Sequence, residues 1–421
     1  MFVADFHIHS KFSRACSRNL DLTNIEIWCQ LKGIDLVATA DFTHPEWFSE
    51  LREKLEECDR GIYKLRKKFC GKNAEIFVPE KCRRDVRFIC STEISLIYKK
   101  NGKVRKIHLI ILAPNLEIVA KINLKLTKIG NLNSDGRPIL GLDSEKFVKI
   151  LLDISPEIQI IPAHIWTPHF AIFGSKSGFD SVEECFGKMS DHICALETGL
   201  SSDPRMNWQI SRNDKYALIS NSDAHSLQKL GREATIFKIK KINYPAILHA
   251  LRHDHQKIFG TIEFFPEEGK YFADGLRAEN LCLMPDETKK NNFISPQTGK
   301  KITVGVLHRI SNLADKKFGR QPKNAAKIFY AIPLVEILSE ILGVGPNSKK
   351  VQQKYFELLE KLGTEFSILK NLPLEKIAAV DQILARAIAK IRAGKIILQP
   401  GFDGEFGKIQ IFEKNEILSK N

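Results

Sequence analysis

The stretch FVADFHIHS, residues 2–10, joins a short apolar run directly to two histidines, His7 and His9. Alternate side chains of a β-strand point to the same side, so an extended backbone places both imidazoles on one face. Two imidazoles at the end of a strand can form part of a metal site. For an isolated pair, ordinary polar packing is the more common explanation, because buried histidines often find hydrogen-bond partners. The interpretation therefore depends on the rest of the chain.

Six further apolar runs follow within the first 235 residues, separated by amphipathic or charged stretches. They are DLVATADF, VRFICSTEI, IHLIILAP, IQIIPAHI, HICALETG and YALISNSD. Alternation of this kind is typical of repeated βα units and a mainly parallel sheet or barrel. Seven strands favour a closed α/β barrel over an open sheet. Residues 51–69 are predicted to form a long exposed helix, and residues 141–152 and 181–190 shorter crossover helices.

Ionisable side chains recur at the ends of these runs, where loops after barrel strands commonly build an active site. Imidazoles mixed with carboxylates suit zinc, manganese or iron better than magnesium. Nine candidate ligands exceed the needs of one four-coordinate ion, so we expect two or three divalent ions bridged by a carboxylate. Such a cluster indicates hydrolysis of a phosphoester. The nine are His7, His9, Asp41, His44, Glu93, His108, His164, Asp223 and His225, and Glu197 also follows a run.

Composition places the chain among globular proteins of two or three domains, with 421 residues, 43% of them hydrophobic and 27% charged. No run approaches the length of a membrane span and no basic leader precedes the first strand, so we expect a cytoplasmic protein associated with the nucleoid and not with membranes. Nine cysteines without CxxC pairs indicate reduced thiols.

The net charge of +14 is uneven, because residues 301–421 hold twenty basic and twelve acidic side chains. This surplus favours anionic partners such as nucleic acid, although a solvated lysine-rich surface has the same composition.

Changes of pattern divide the chain into three predicted domains. Residues 1–262 form the barrel, residues 263–312 a polar, turn-rich module, and residues 313–421 a domain with apolar residues at helix spacing. Gly343 and Gly345 lie between two amphipathic helices, like the hairpin of helix-hairpin-helix modules, whose backbone amides approach a DNA phosphate. A plain helix C-cap and turn explains the same glycines.

The motifs HIHS, IHL, PAH and SDAH, together with Glu93, resemble the polymerase and histidinol phosphatase (PHP) superfamily. That resemblance implies a distorted seven-stranded barrel with a trinuclear metal centre. As a set, FHIHSKFSRACS, ATADFTHPEW, STEISLIYKKNGKVRKIHLIILAP, IIPAHIWTPHFAIFGSKSGFDS, ALETGLSSDP and SNSDAHS are similar to the endonuclease Q family, over nearly the whole chain. The resemblance implies a DNA repair endonuclease that cleaves on the 5′ side of deaminated bases (uracil, hypoxanthine, xanthine) and of abasic sites.

The same resemblance implies a division of the ligands among three ions. His7, His9, Glu93 and Asp223 would hold the first and form the catalytic core, Glu93, His108 and His164 the second, and His225 with His44 or Asp41 the third. Glu93 would then bridge two ions. At the third site the stretch FSRACS offers only Cys16, where many members of the superfamily supply another ligand.

The small module departs from the family pattern. Members carry two CxxC pairs there, typical of a zinc ribbon, whereas Glu279, Cys282, Ser295 and Thr298 stand at those places here. No tetrahedral zinc site can be built from this set. We therefore expect a metal-free ribbon, packed around Leu283, Phe293 and Ile302.

Selecting a damaged base requires inspecting it outside the stack, so stacking and hydrogen-bonding groups should lie near the metals. Aromatic side chains after barrel strands are also common core residues, and basic side chains near them can simply be solvated. The candidates for the pocket are Trp47, Trp166, Phe170, Phe173, Ser175 and Lys176, with Lys229 and Arg232 as phosphate contacts.

Two other functions fit part of the pattern. A PHP-type phosphoesterase acting on a small metabolite would use the same barrel, but it would not need the basic helical tail. A DNA-binding scaffold would use the cluster only structurally. The C-terminal stretch KIQIFEKNEILSK shows no convincing clamp-binding peptide, so recruitment by a replication clamp stays open.

Overall fold

The computed structural model describes residues 1–71, 77–413 and 416. Residues 72–76, 414, 415 and 417–421 lie outside the described residues, and six of them belong to the thirteen-residue stretch considered for a clamp-binding peptide. The described strands are β1 Phe2–Asp5, β2 Leu36–Ala38, β3 Leu55–Asp59, β4 Ile62–Leu65, β5 Arg87–Ile89, β6 Ser91–Lys100, β7 Lys103–Leu112, β8 Ile139–Leu140, β9 Gln159–Pro162, β10 Ala195–Glu197, β11 Ala217–Ile219, β12 Ala234–Phe237, β13 Ile258–Glu263, β14 Asp274–Leu276, β15 Leu281–Leu283, β16 Lys327–Tyr330, β17 Ile397–Gln399 and β18 Lys408–Gln410.

Helices connect these strands and dominate the last third of the chain. They are α1 Leu22–Lys32, α2 Pro45–Lys54, α3 Leu116–Leu126, α4 Ser144–Ile154, α5 Val182–Phe186, α6 Pro204–Asn207, α7 Tyr244–Arg252, α8 Pro285–Lys290, α9 Val306–Leu313, α10 Leu334–Leu342, α11 Lys349–Leu362, α12 Leu374–Ala378 and α13 Gln382–Arg392. None of the helices formed by the described residues is both long and apolar enough to cross a bilayer.

The fold is mixed α/β, as predicted, with one large sheet ordered β16-β13-β12-β1-β2-β5-β4-β3 and a second ordered β8-β6-β7-β9. Strands β1, β2 and β5 run parallel, as do β10 and β11. The number of barrel strands stays a prediction, because hydrogen bonding divides the strands among several sheets. Single backbone hydrogen bonds link neighbouring sheets: Ala113 N to Cys90 O (2.9 Å), Ile165 N to Glu197 O (3.1 Å) and His9 N to Ala224 O (3.0 Å).

The predicted helix over residues 51–69 is wrong beyond its first turn. Helix α2 ends at Lys54, and the chain forms the hairpin β3–β4 around Gly61, whose φ is +70°. Leu55, Ile62 and Leu65 are buried, while the intervening charged residues point outward. The stretch is dominated by charged side chains, and its few apolar residues show neither a clear helical nor a clear strand period. The crossover helices expected over 141–152 and 181–190 are confirmed by α4 and by α5 with a following 3₁₀ turn.

Helices α10 to α13 confirm the helical character of the tail, but the structure interleaves the predicted domains. Strand β16 belongs to the residues assigned to the helical domain, yet it pairs in parallel with β13 of the large sheet. The hairpin β17–β18 returns to the small module, where Gly401 N donates to Glu267 O at 2.8 Å. The boundaries at residues 262/263 and 312/313 therefore stay predictions.

In the small module, hydrogen bonds connect three of the four positions at which a zinc ribbon would carry cysteines. The Glu279 carboxylate accepts from the hydroxyls of Ser295 and Thr298, and Cys282 is a free thiol on β15. These are the four positions expected to lack a zinc site. Of the predicted packing residues, Ile302 is buried, Leu283 is half-buried and Phe293 is 37% exposed, so Phe293 is not a core residue.

A buried ion pair fixes the helical tail against α1. Lys32 Nζ lies 2.8 Å from Glu365 Oε2, and both side chains are about 3% exposed. The same carboxylate accepts from Tyr355 Oη at 2.8 Å and from Leu334 N at 3.0 Å. A buried pair is tolerated when its remaining hydrogen-bonding capacity is satisfied in this way.

Two buried carboxyl groups, Glu233 just before β12 and Glu263 at the end of β13, interact electrostatically. Glu263 on β13 is fully buried and accepts from the Ser220 hydroxyl. Burial raises the pKa of Glu263 to about 8, against the opposing effect of the hydrogen bond from Ser220. Burial, and then the charge of Glu263, also raise the pKa of Glu233. At neutral pH the folded protein therefore keeps a proton on this pair.

We predict that this pair makes stability fall as pH rises. A carboxyl group whose folded-state pKa is about 8 stabilises the fold fully below the unfolded-state pKa of about 4.3. The stabilisation is lost as pH rises toward the folded-state pKa, by at most about 1.4 kcal/mol per pH unit for each group. Urea unfolding at pH 5.5 and pH 7.5 should show a larger loss for wild type than for Glu263→Gln. Equal losses for the two proteins would contradict the prediction.

Candidate metal centre

Six predicted ligands converge where strands of the two main sheets end or pass. His7 and His9 follow β1, Glu93 lies on β6, His108 lies on β7, His164 follows β9 and Asp223 follows β11. All are buried except Asp223, whose side chain is 26% exposed. We call these six side chains the histidine–carboxylate cluster. It contains every residue expected at the first two ions.

Glu93 divides the cluster into two groups, one on each carboxylate oxygen. Its Oε1 lies 2.6 Å from His108 Nδ1 and 3.2 Å from His164 Nε2. Its Oε2 lies 3.5 Å from His7 Nε2 and 3.3 Å from His9 Nε2. Ligand atoms within each group lie within 4.8 Å of one another, with Asp223 in the second group. One carboxylate thus faces two separate sets of ligand atoms, which is the geometry of a bridging ligand.

Three residues in or beside the cluster have left-handed backbone angles, which are uncommon for residues other than glycine, asparagine and aspartate. The φ angles are +33° at Asp41, +30° at His164 and +47° at Asp223. Such conformations cost free energy and persist where the surrounding structure imposes them, often at functional sites. His164 and Asp223 have these conformations two and four residues after the ends of β9 and β11, and both side chains belong to the cluster.

Carboxylates behind the cluster orient its imidazoles. His7 Nδ1 lies 3.0 Å from Glu197 Oε1, and His164 N donates to Glu197 Oε2 at 2.6 Å. Asn221 Nδ2 donates to the same carboxylate at 2.8 Å. Fixing one ring nitrogen in this way directs the other toward a metal. Glu197, which the sequence marked only as a strand-end acid, is therefore a supporting residue.

Asp41 lies behind His9 as Glu197 lies behind His7. Its Oδ1 lies 3.2 Å from His9 Nδ1, and its Oδ2 accepts from Ser10 N at 2.7 Å and from the Ser13 hydroxyl at 2.9 Å. Asp41 is fully buried, and both of its oxygens are engaged. The structure thus places this predicted ligand in the layer that holds His9, outside both ligand groups.

The electrostatics of the cluster favour cations. Burial alone would lower the pKa of His7 and His9, but nearby carboxylates outweigh it and raise both above the ordinary value. Burial likewise opposes ionisation of Glu93, yet the surrounding imidazoles and Arg137 hold its pKa well below the usual range. The carboxylates therefore create a negative potential at the histidine nitrogens. Burial lowers the pKa of His108 to about 4, which keeps that ring neutral and its lone pair available.

The donor set fits divalent ions. His7 Nε2 is buried and has no hydrogen-bond partner among the described residues, and it faces both Glu93 and Asp223 at 3.5 Å. A coordinate bond would satisfy this nitrogen, because unpaired buried polar atoms are costly. Mixed imidazole and carboxylate ligands suit zinc, manganese or iron.

The candidates for a third ion lie at the rim. The His225 ring is 4.5 Å from that of His9, and its Nδ1 lies 2.8 Å from Asp223 O. The His44 ring stacks on Phe12, with centroids 4.3 Å apart, and its buried Nδ1 has no partner among the described residues. Neither histidine joins a group of three ligand atoms in the described part of the chain. A third site therefore stays a prediction.

Most of the predicted pocket aromatics lie in the core. Trp47 is fully buried and donates its indole N–H to Thr39 O at 2.9 Å, and Trp166 packs against Phe173, with both about 1% exposed. These three cannot stack on a base in this conformation. Phe170 differs, because it is only half-buried and its ring centroid lies 4.6 Å from that of His108.

The structure also shows where the residues predicted to contact DNA phosphates lie. Lys229 Nζ is paired with Glu336 of α10 at 2.9 Å, so it connects the barrel to the tail. The Arg232 guanidinium lies 5.7 Å from the Phe264 ring. Gly343, with φ of +64°, and Gly345 form an exposed turn between α10 and α11, and no neighbouring atom lies within 4 Å of the place that a Cβ would take at either. This turn is open to a ligand.

Sequence patterns missed Arg137, which reaches the cluster from the loop before β8. Its guanidinium donates to Glu93 Oε2 at 3.0 Å, and the side chain is 26% exposed. Burial opposes its charge, but Glu93 and Asp223 raise its pKa. Arg137 follows no apolar run, so only the arrangement in space reveals it. The accessible part of its guanidinium offers a fixed positive charge beside the ligands.

Two protein sequences are similar to this chain. Uncharacterized protein YqxK of Bacillus subtilis is 29% identical over 430 residues, which cover 97% of this chain and 98% of that protein. Uncharacterized protein MJ0043 of Methanocaldococcus jannaschii is 33% identical over 251 residues, which cover 58% of this chain. The chain spans only 31% of the length of that archaeal protein. Residues 333–395 match the family model described as the MJ0043 C-terminal domain.

Two solved structures match the whole chain. The crystal structure of the novel lesion-specific endonuclease PfuEndoQ from Pyrococcus furiosus superposes with a TM-score of 0.85 at 30% identity, covering 100% of this chain and 97% of that chain. A crystal structure of Endonuclease Q in complex with a 27-mer duplex substrate, with an abasic lesion at the active site, superposes with a TM-score of 0.83 at 30% identity, covering 100% and 98%.

We predict that Glu93 controls metal occupancy of both ligand groups. Glu93→Gln should lose ions from both, whereas His108→Ala should lose them mainly from the group on Oε1. Elemental analysis by mass spectrometry, per mole of folded protein, measures the difference. His192→Ala, at an exposed histidine outside the cluster, is the control and should keep the wild-type content. Wild-type metal content in Glu93→Gln would refute the bridging role.

Proposed function

Since the chain belongs to the endonuclease Q family, we propose that it is a metal-dependent DNA repair endonuclease that hydrolyses the phosphodiester on the 5′ side of a damaged nucleotide. The proposed lesions are the deaminated bases uracil, hypoxanthine and xanthine, and abasic sites. The observation that carries the proposal is the cluster itself, in which one buried carboxylate faces two groups of ligand atoms. Similarity over the whole chain to an endonuclease in complex with lesion-containing DNA supports the substrate class.

The proposed cofactors are two or three divalent ions, with zinc as the first expectation. His7, His9, Glu93 and Asp223 would hold one, and Glu93, His108 and His164 another. Bound there, such ions supply Lewis-acid stabilisation of phosphoryl charge and a more acidic water. The protein contributes fixed ligand positions, because Glu197 and Asp41 orient the imidazoles before substrate arrives.

Two side chains beside the cluster have proposed roles toward DNA. Arg137 places a permanent positive charge next to Glu93 and Asp223, where a phosphate bound by the ions would lie. Fixed charges of this kind stabilise developing negative charge without reorganising during the reaction. Phe170, next to His108 and with Lys106 Nζ 5.5 Å from its ring centroid, offers a face on which a displaced base can stack.

The exposed turn containing Gly343 and Gly345 is the proposed contact to the DNA backbone away from the cluster. It precedes α11, whose first residues are Lys349 and Lys350. Free backbone amides and lysines at a helix N-terminus favour a phosphate. Such contacts add affinity and salt dependence without reading the base sequence.

We expect end-labelled duplexes that each carry one uracil, hypoxanthine, xanthine or abasic site to be nicked on the 5′ side of the lesion. Sizing the products on a denaturing gel measures this, with undamaged duplex as the reference. Cleavage should disappear with a chelator and in His9→Ala, while His192→Ala stays active, because only His9 belongs to the cluster. Faster turnover of nitrophenyl phosphate than of any lesion duplex would instead favour a phosphoesterase acting on a small metabolite.

We predict that Arg137→Ala slows cleavage about 10²–10³-fold, the usual cost of removing one preorganised electrostatic stabiliser. Arg137→Lys should recover part of the rate, because it restores the charge without the planar guanidinium. Single-turnover kinetics at saturating enzyme isolates this effect from binding. Arg14→Ala is the control. Arg14 pairs with Asp135, which lies in the same loop as Arg137, but the Arg14 side chain is 80% exposed. Wild-type rates in Arg137→Ala would exclude the role.

A further inference from the structure

A small cavity of about 170 Å³ lies beside β7, close to the histidine–carboxylate cluster but separate from it. Arg105 lines it from β7, on which His108 follows three residues later. Residues an odd number apart on a strand face opposite sides, so Arg105 points away from the side occupied by His108. The lining consists of residues 103–105 and 174–178 with Asp180, Glu184 and Arg309.

Arg105 is the buried element of this cavity. The residue is only 6% exposed, and its guanidinium lies 4.1 Å from the centroid of the Phe179 ring. One terminal nitrogen donates to Gly178 O and the other lies 3.2 Å from Glu184 Oε1. The Nε has no hydrogen-bond partner among the described residues. A buried guanidinium with an unused donor marks a place where an anion would be stabilised.

Further cations surround the cavity. Arg309 is engaged, because its guanidinium lies 2.6 Å from Asp180 Oδ1 and donates to Phe173 O at 3.0 Å. Lys103 and Lys176 are exposed, and in the described part of the chain neither has a carboxylate within salt-bridge distance. Four basic side chains against two acidic ones leave the lining with a net positive charge.

The loop of residues 174–178, GSKSG, forms the rim of the cavity in a tight turn. Gly178 N donates to Gly174 O at 2.9 Å, and Lys176 N donates to Pro168 O at 3.0 Å. A Cβ at residue 178 would lie 2.4 Å from Gly174 N, so the turn requires glycine. This winding leaves Ser175 and Lys176 exposed at the mouth. A hydroxyl and an ammonium group therefore stand beside the Arg105 guanidinium.

The cavity lies at a spacing that suits the DNA backbone. Arg105 and His108 are three residues apart on β7, which corresponds to about 10 Å along the strand. Because the two side chains face opposite sides of the strand, the cavity and the cluster are further apart than this, a distance that a few nucleotides of one DNA strand span. The rim is tied to the cluster, because His108 N donates to Phe170 O at 3.0 Å and Phe170 begins the segment that leads into the rim.

We propose that this cavity binds a backbone phosphate of the DNA, a few nucleotides from the phosphate that is cleaved. Arg105, Lys103 and Lys176 supply the charge, and Ser175 supplies a hydroxyl donor. The inference rests on the proposed function and refines it, since Ser175 and Lys176 then contact the backbone and not the damaged base. Phosphate contacts fix the register of a protein on DNA without reading sequence.

The test combines protein variants with duplexes in which single phosphates are replaced by neutral methylphosphonates. Lys176→Ala should weaken binding of a lesion duplex and lower the slope of log affinity against log salt by about one unit. Lys103→Ala should act in the same direction. Lys121→Ala, at an exposed lysine of α3, is the matched control and should bind as wild type does.

Neutralising one phosphate within a few nucleotides of the nick should weaken binding by wild type about as much as Lys176→Ala does. The same substitution should add nothing further to Lys176→Ala, because both changes remove the same contact. Additive effects at every phosphate, with wild-type binding and cleavage intact, would overturn this inference alone. Absence of binding and cleavage by wild type would overturn the proposed function, and this inference with it.

Discussion

Glu93 is a buried carboxylate shared by two sets of imidazoles, and the arrangement of the centre depends on how its charge is balanced. An isolated ionised carboxylate in a protein interior is very costly, so its neighbours must carry positive charge or bind it. Here His7, His9, His108 and His164 approach its two oxygens from opposite sides, and Arg137 adds a fixed charge. Bound cations would satisfy the same requirement, so the charge balance that the fold needs is one that a metal centre can supply.

The surrounding fold keeps these groups in place. Glu197 and Asp41 hold the far nitrogens of His7 and His9, and His164 and Asp223 have left-handed backbone angles shortly after strands. The ion pair of Lys32 with Glu365 joins α1 to the helical tail, so the elements that carry the proposed DNA contacts are fixed relative to the centre. Precise placement of this kind matters, because catalysis is sensitive to displacements of about 1 Å.

Positive charge is distributed around the centre at several distances. Arg137 lies within the cluster, Phe170 and Lys106 lie beside it, and the cavity at Arg105 lies about one strand segment away. The turn at Gly343 and Gly345 extends this distribution to the tail. A long polyanion contacts many such points at once, whereas a small metabolite contacts only the nearest, so this distribution favours DNA as the substrate.

The amino-acid sequence by itself picked out the six side chains of the histidine–carboxylate cluster, His7, His9, Glu93, His108, His164 and Asp223, and the helices of the tail, because strand-end placement and helical periodicity are local properties of the chain. Tertiary structure decided the rest. It placed Asp41 behind His9, brought Arg137 from a loop to Glu93, buried Trp47, Trp166 and Phe173, and formed the β3–β4 hairpin where charged residues suggested a helix. Which side chains are buried, and which hydrogen-bond partners they find, depends on which distant segments meet in the fold. No local sequence pattern encodes that.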